Sequence, residues 1–193
     1  MRPGETASVL AVSWGKGDPL RDAVTLVFLD EAGRLREYAK VDNLVDAETK
    51  SEFLDLVRRR KPDVIVIGGF SMATAKLSLD VKQVLRGDTQ KEGEMASGGG
   101  WGSEAKDLND QVFDIPVIYV LDDVARIYQH SKRAAAEFST LSPITKYCVG
   151  LARYTQSPLI EYAALGPDVA AVSFDEDDQH LVGSSVLRLC SYC

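Results

Sequence analysis

Four consecutive acids, Asp175-Glu176-Asp177-Asp178, stand just before His180. Carboxylates beside an imidazole are a ligand set for a divalent cation. The same run also describes solvated charge, and that is the reading taken. His130, the only other histidine, falls on the polar side of its helical pattern and reads as a solvated residue. Cys190 and Cys193 form a single C-x-x-C. A structural zinc site needs a second pair or nearby histidines, so none is assigned. Cys148 lies in an apolar helical pattern, where a thiol behaves as a small buried hydrophobe. Lys16-Gly17 follows an apolar run without the G-x-x-x-x-G-K spacing of a phosphate loop. Neither G-x-S-x-G nor H-E-x-x-H occurs. No residue is assigned a catalytic, cofactor-binding or metal-ligating role.

The chain has 193 residues, 45% hydrophobic and 26% charged, which suits one globular domain with room for a small appendage. Its 22 Lys+Arg against 29 Asp+Glu leave a net charge of -7. That balance argues against coating nucleic acid by bulk charge. Two local cationic places, Arg58-Arg59-Arg60-Lys61 and Lys132-Arg133, leave room for a weak nucleic-acid contact. Three cysteines are too few for a disulfide scaffold and point to a reducing compartment. The first residues lack the apolar core of a signal peptide, and no run approaches the roughly 18 apolar residues of a membrane span. The expectation is a soluble intracellular protein with no membrane contact.

The positioning elements follow from the hydrophobic pattern. Ser8 to Trp14 and Ala23 to Leu29 read as buried strands, and Leu35 to Val41 alternates as a half-exposed one. Short connections make these three an antiparallel meander. Asp46 can cap a helix that runs to about Arg60, with cations in its last turn and Pro62 as a stop. Asp63 to Gly69 is a β-branched run expected to be covered on both faces. A helix from about Thr74 to Leu85 follows. Residues 87–111 are rich in Gly, Ser and charge with almost no aliphatics, and read as a flexible insertion in which Trp101 is a lone mobile aromatic. Ile115 to Val120 reads as another buried strand. A single helix then opens at Asp122-Asp123 and aligns Val124, Ile127, Tyr128, Ser131, Ala134, Ala135 and Phe138 on one face. Ser142-Pro143 and Ser157-Pro158 each start a helix, to about Gln156 and Leu165, with each serine as the cap. Val169 to Phe174 reads as a short strand or an extended tail.

A three-strand meander followed by alternating strands and helices predicts an α/β, ribonuclease H-like fold: a mixed five-stranded sheet flanked by helices. Nucleases of this fold hold two metal ions on carboxylates from the middle of the first strand, the end of the fourth strand and a late helix. On the first strand, Val9 to Gly15 reads VLAVSWG, with Ser13 where the resolvase-like pattern has Asp. A hydroxyl cannot replace an anionic Mg²⁺ ligand. After the fourth strand no carboxylate occurs until Asp80, and Pro143 to Gln156 contains no Asp or Glu. All three places lack an acid, so the expectation is a domain that is not an enzyme.

From Ser8 to about Val182 the sequence resembles the YqgF-type, ribonuclease H-like domain of the transcription elongation factor and histone chaperone suppressor of Ty six, a factor related to bacterial Tex. The resemblance is carried by Val9 to Gly15, Lys61 to Ser71, Asp122 to Phe138 and, most distinctively, Ser142 to Leu165 (SPITKYCVGLARYTQSPLIEYAAL), with Gln179-His180-Leu181-Val182 after it. It implies a domain over 8–182, keeping the nuclease fold without the nuclease acids, with a variable loop at 87–111. It implies one module of a long nuclear protein. The expected partners are other domains of that protein and, through the full-length factor, the RNA polymerase II elongation complex and histones or nucleosomes. The closing GSSVLRLCSYC (183–193) departs from the family's continuation, so Cys190 and Cys193 carry no functional weight. Two alternative readings are a sequence-independent nucleic-acid-binding module and a metal-dependent, resolvase-like nuclease.

Overall fold

The computed structural model describes residues 6–15, 22–87 and 113–172. Five strands form one mixed sheet: β1 (Val9–Ser13), β2 (Val24–Leu29), β3 (Leu35–Val41), β4 (Val64–Gly68) and β5 (Val117–Val120), in the order β3-β2-β1-β4-β5. The pairs β1–β2 and β2–β3 are antiparallel, while β1–β4 and β4–β5 are parallel. This is the predicted mixed sheet, with the meander on one side and the crossover strands on the other.

Strand alternation sends side chains into two cores. Leu10, Val12, Leu26, Phe28, Ile65 and Ile67 pack beneath α1 (Ala47–Arg60) and α2 (Met72–Arg86). Val9, Ala11, Val27, Leu29 and Val66 pack on the opposite face. That face is covered by α3 (Asp123–Tyr128), α4 (Lys132–Glu137) and above all α5 (Pro143–Gln156). A shorter α6 (Pro158–Leu165) and a 3₁₀ segment (Gly166–Ala171) follow. At the start of the two central strands, the Ser8 N–H and hydroxyl both donate to the Asp63 carboxylate at 2.8 and 2.7 Å. Gln156 at the end of α5 donates from Nε2 to the Ala7 and Asp30 carbonyls at 2.7 and 2.8 Å, which pins the helix to one end of the sheet.

The helix starts follow side-chain chemistry where the geometry allows it. Ser71 and Thr74 cap α2 reciprocally, so the helix begins two residues before the expected Thr74. Ser142 accepts from the Thr145 N–H at 3.4 Å, with Pro143 in the first turn, as expected. Ser157 ends α5 through its N–H on the Arg153 carbonyl, and its side chain makes no cap bond to α6. Asp46 stands at the start of α1 but uses its carboxylate on the Asn43 amide instead.

Three further expectations change. The single helix over 122–138 is two, because Ser131 caps a new helix by accepting from the Ala134 N–H, and Ala135 is exposed rather than on the core face. The strand at 115–120 is an edge strand, half-exposed rather than buried. Where a short strand or an extended tail was expected from Val169, the chain continues as the 3₁₀ segment to Ala171. Residues 88–112, including Trp101, and the terminal stretch with His180, Cys190 and Cys193 lie outside the described residues.

Candidate functional site

In a sheet with parallel strands, ligands and reactive groups gather beyond the carboxyl ends of those strands. In this chain that place is built from Ser13 at the end of β1, Gly68-Gly69 at the end of β4, Asp122 after β5, and Tyr147 on α5. Alternation puts Ser13 on the same face as Val9 and Ala11, under α5, and it is nearly buried. A metal-binding site of this fold would need a carboxylate there.

Tyr147 fills the space between the sheet and α5. A methyl group placed on Gly68 would lie 2.1 Å from the Tyr147 hydroxyl and 3.0 Å from a Leu151 methyl carbon. The tyrosine therefore rests on bare backbone. Its buried hydroxyl needs an acceptor and donates to Asp122 Oδ2 at 3.0 Å. Arg126 Nε donates to the same oxygen at 3.0 Å. Gly69, at φ +81°, admits the carboxylate close to the backbone, since a Cβ there would sit 3.2 Å from Asp122 Oδ2. Burial, reinforced by the Asp122 charge and hydrogen bond, pushes the Tyr147 hydroxyl well above the usual phenol range. Tyr147 thus stays protonated and donates at every physiological pH.

The chemistry of this arrangement is limited. Among the described residues, the Asp122 carboxylate at the strand ends has its Oδ2 engaged by a tyrosine and an arginine, and the Asp22 carboxylate lies against Gly15 just past the end of β1. The first strand offers a hydroxyl and the fourth offers glycine. Asp80 lies in the body of α2, past the strand end, with its carboxyl raised by burial. Among the described residues no group of three or more His, Cys, Asp or Glu stands together to hold a metal. These residues do not fit a two-metal centre. Asp122 is the cleft residue that sequence reasoning missed, having been read only as the start of a helix.

The Leu151-Ala152-Arg153 to Glu161 segment holds the helical layer together. Arg133 on α4 grips the buried Glu161 of α6 with two bonds, Nη1 to Oε2 at 2.9 Å and Nη2 to Oε1 at 3.1 Å. Arg133 also reaches Glu137 at 3.1 Å, and Arg153 of α5 reaches the other oxygen of Glu137 at 2.6 Å. Both guanidinium groups lie over the Tyr128 ring, 5.4 and 5.8 Å from its centroid. Burial opposes charge on Glu137, but the bonds from Arg153 and Arg133 win and hold its carboxyl low. The bond to Glu161 raises the Arg133 guanidinium. Beyond this network, the Tyr154 and Tyr162 rings meet edge to face at 5.5 Å.

The two cationic places are largely spoken for. Arg59 and Arg60 both pair with Glu37, Arg58 pairs with Asp55 at 3.2 Å, and Arg133 belongs to the network above. His130 is exposed between α3 and α4, as expected. Cys148 is fully buried and burial pushes its thiol up, so it is inert. Among the described residues no helix is long and apolar enough to cross a membrane.

The comparison with known families decides the relationship. The family model described as the Holliday-junction resolvase-like domain of SPT6 matches residues 3–97 and 103–166. The chain belongs to this family. Among curated relatives, the transcription elongation factor SPT6 of Gibberella zeae is 44% identical over 173 residues, covering 89% of the chain. That of Mycosarcoma maydis is 42% identical with 94% covered, and that of Saccharomyces cerevisiae 31% identical with 97% covered. The matches span only 11–12% of those three relatives' own length. The SPT6-type domain is thus a small part of each of them.

Proposed function

We propose that the chain is a non-catalytic, ribonuclease H-like scaffold and interaction module of a nuclear transcription elongation factor and histone chaperone that acts with RNA polymerase II. The observation that carries this reading is Tyr147 lying on Gly68 with its hydroxyl on Asp122, in the place where a nuclease of this fold would gather metal-binding acids. Ser13 on the first strand supports it. Work for such a module lies in its surfaces and in holding neighbouring domains. Its partners are other domains of the parent factor and, through the full-length protein, the polymerase elongation complex and histones or nucleosomes. No catalytic, cofactor or metal site belongs to it. The domain occupies 8–182, with an insertion at 87–111 and an atypical tail at 183–193. The Phe113 N–H bonds the Leu85 carbonyl at 3.0 Å, so the chain before and after the insertion meets without it. The direct nucleic-acid-binding reading is weakened because most of the clustered arginines are paired within the domain.

The test is genetic and biochemical. Asp122→Asn in the native gene keeps an acceptor for Tyr147 and removes the carboxylate's metal-binding charge. Cells carrying it should elongate transcripts as wild type does, whereas deletion of the whole domain should not be tolerated equally well. If Asp122→Asn reproduced the deletion phenotype while the protein stayed folded, the carboxylate's chemistry would be required and the scaffold reading would fail.

A further inference from the structure

The two edges of the sheet differ. The β3 edge carries Arg36, Glu37 and Lys40, and its pairing with β2 is broken by a register shift at Phe28/Leu29. Charges and irregularities of this kind protect an edge from pairing with another strand. The β5 edge has neither. Val117-Ile118-Tyr119-Val120-Leu121 carries no charge, and among the described residues β5 pairs along one side only, with β4. Ile65 and Gly69 donate to the Pro116 and Val120 carbonyls. Alternation then turns the N–H and C=O of Val117 and Tyr119 outward.

Large apolar side chains crowd the same edge. Phe70 is 73% exposed and Leu121 54%, and Ile118 and Tyr119 are each more than a third exposed. The Phe70 and Tyr119 rings sit 5.9 Å apart. Exposed apolar clusters of this size mark interaction surfaces. We propose that the outer edge of β5 is a docking strand that receives an extended, uncharged, apolar segment of the same parent polypeptide, from outside these 193 residues.

The inference rests on the module reading given above. Its choice of occupant follows from the edge itself. Four residues with outward groups on only Val117 and Tyr119 offer few backbone bonds. That is weak for a free peptide, but a tethered segment binds at a high effective concentration. The SPT6 relatives are about eight times longer than their match to this chain, which supplies ample tethered sequence. Alternate side chains of the added strand would meet Tyr119 and Phe70 on one face and Ile118 on the other.

The test uses the full-length polypeptide with p-benzoylphenylalanine in place of Tyr119, together with hydrogen exchange on the native sequence and on Ile118→Lys. Irradiation should give an intramolecular cross-link to one apolar segment. The Val117 and Tyr119 amides should exchange at least about tenfold faster in Ile118→Lys than in the native protein. The β1 and β4 amides should keep their rates, which reports an intact fold. A cross-link to a second copy or to a different polypeptide would overturn the proposal. So would edge amides that already exchange as fast in the native protein as in Ile118→Lys. An immunoblot showing a native polypeptide no longer than this chain would instead sink the module reading.

Discussion

The contact between Tyr147 and Gly68 gives the sharpest test of the blocked cleft. Gly68→Ala adds one carbon that meets the Tyr147 hydroxyl at 2.1 Å, closer than any van der Waals contact. Alanine in a strand is favoured over glycine by roughly 0.5–1 kcal/mol on conformational grounds. Against that, overpacking a filled core costs about 1–3 kcal/mol. Driving the tyrosine off its carboxylate partner costs about 1.5–3 kcal/mol more. The net loss is about 2–5 kcal/mol, a fall in Tm of about 4–20 °C for a domain of this size. The Leu151 methyl at 3.0 Å is the flexible end of a side chain and can give way by tenths of an ångström. Thermal melts followed by circular dichroism measure the loss, and a double-mutant cycle assigns it. In a Tyr147→Leu background, Gly68→Ala should cost less than about 1 kcal/mol, so that the two changes couple strongly. A Gly68→Ala protein that melts at or above the native temperature would mean that Tyr147 does not lie on the strand and that the cleft is open.

Other consequences follow from the same packing. Leu151 is fully buried on α5 against the sheet, so Leu151→Asp should cost at least about 4 kcal/mol and leave little soluble protein, measured by melts and soluble yield. Arg133→Ala leaves the buried Glu161 carboxylate without its partner; with the guanidinium about one-third exposed, the loss should be about 2–3 kcal/mol by chemical denaturation. For Asp30, partial burial disfavours the charge, but the Arg34 backbone N–H and the Arg36 and Arg34 guanidinium groups bring its carboxyl down to about 2. A depressed pKa contributes stability that is present above the unfolded value and is lost as pH falls from about 4 to about 2. Tm plotted against pH over that window should fall less steeply for Asp30→Asn than for the native chain.

Most of the fold was legible because its strands are long apolar runs and its helices have punctuated ends. Val64 to Gly68 is β-branched and central, and Pro143 after Ser142 fixes where α5 begins. What escaped depended on tertiary context. An apolar run does not say whether its strand sits at the centre or the edge of a sheet, so β5 was read as buried. Ser131 at a core spacing looked like one small residue on a continuous helix face, when its hydroxyl starts a new helix. Ser157-Pro158 repeats the Ser142-Pro143 pattern, yet the Ser157 N–H closes α5 on the Arg153 carbonyl and its side chain makes no cap bond to α6. At the site, the missing acids were visible from Ser13 and the Gly68-Gly69 pair. The blocking group was not, because Tyr147 and Asp122 are 25 residues apart and meet only when α5 lies over β4. The one local signal was Tyr147 beside Cys148 on the buried side of α5, whose hydroxyl had to find an acceptor.

The claim that this domain has kept a nuclease fold without nuclease chemistry is tested most directly by single-turnover cleavage with protein in excess. The substrates are a labelled four-way DNA junction, duplex DNA and single-stranded RNA, in Mg²⁺ and separately in Mn²⁺. The structure predicts no product above the protein-free control on any of them, because Ser13, Gly68 and the engaged carboxylate of Asp122 cannot assemble the metals. Metal-dependent cleavage that persists through purification and disappears in Asp122→Asn would contradict it.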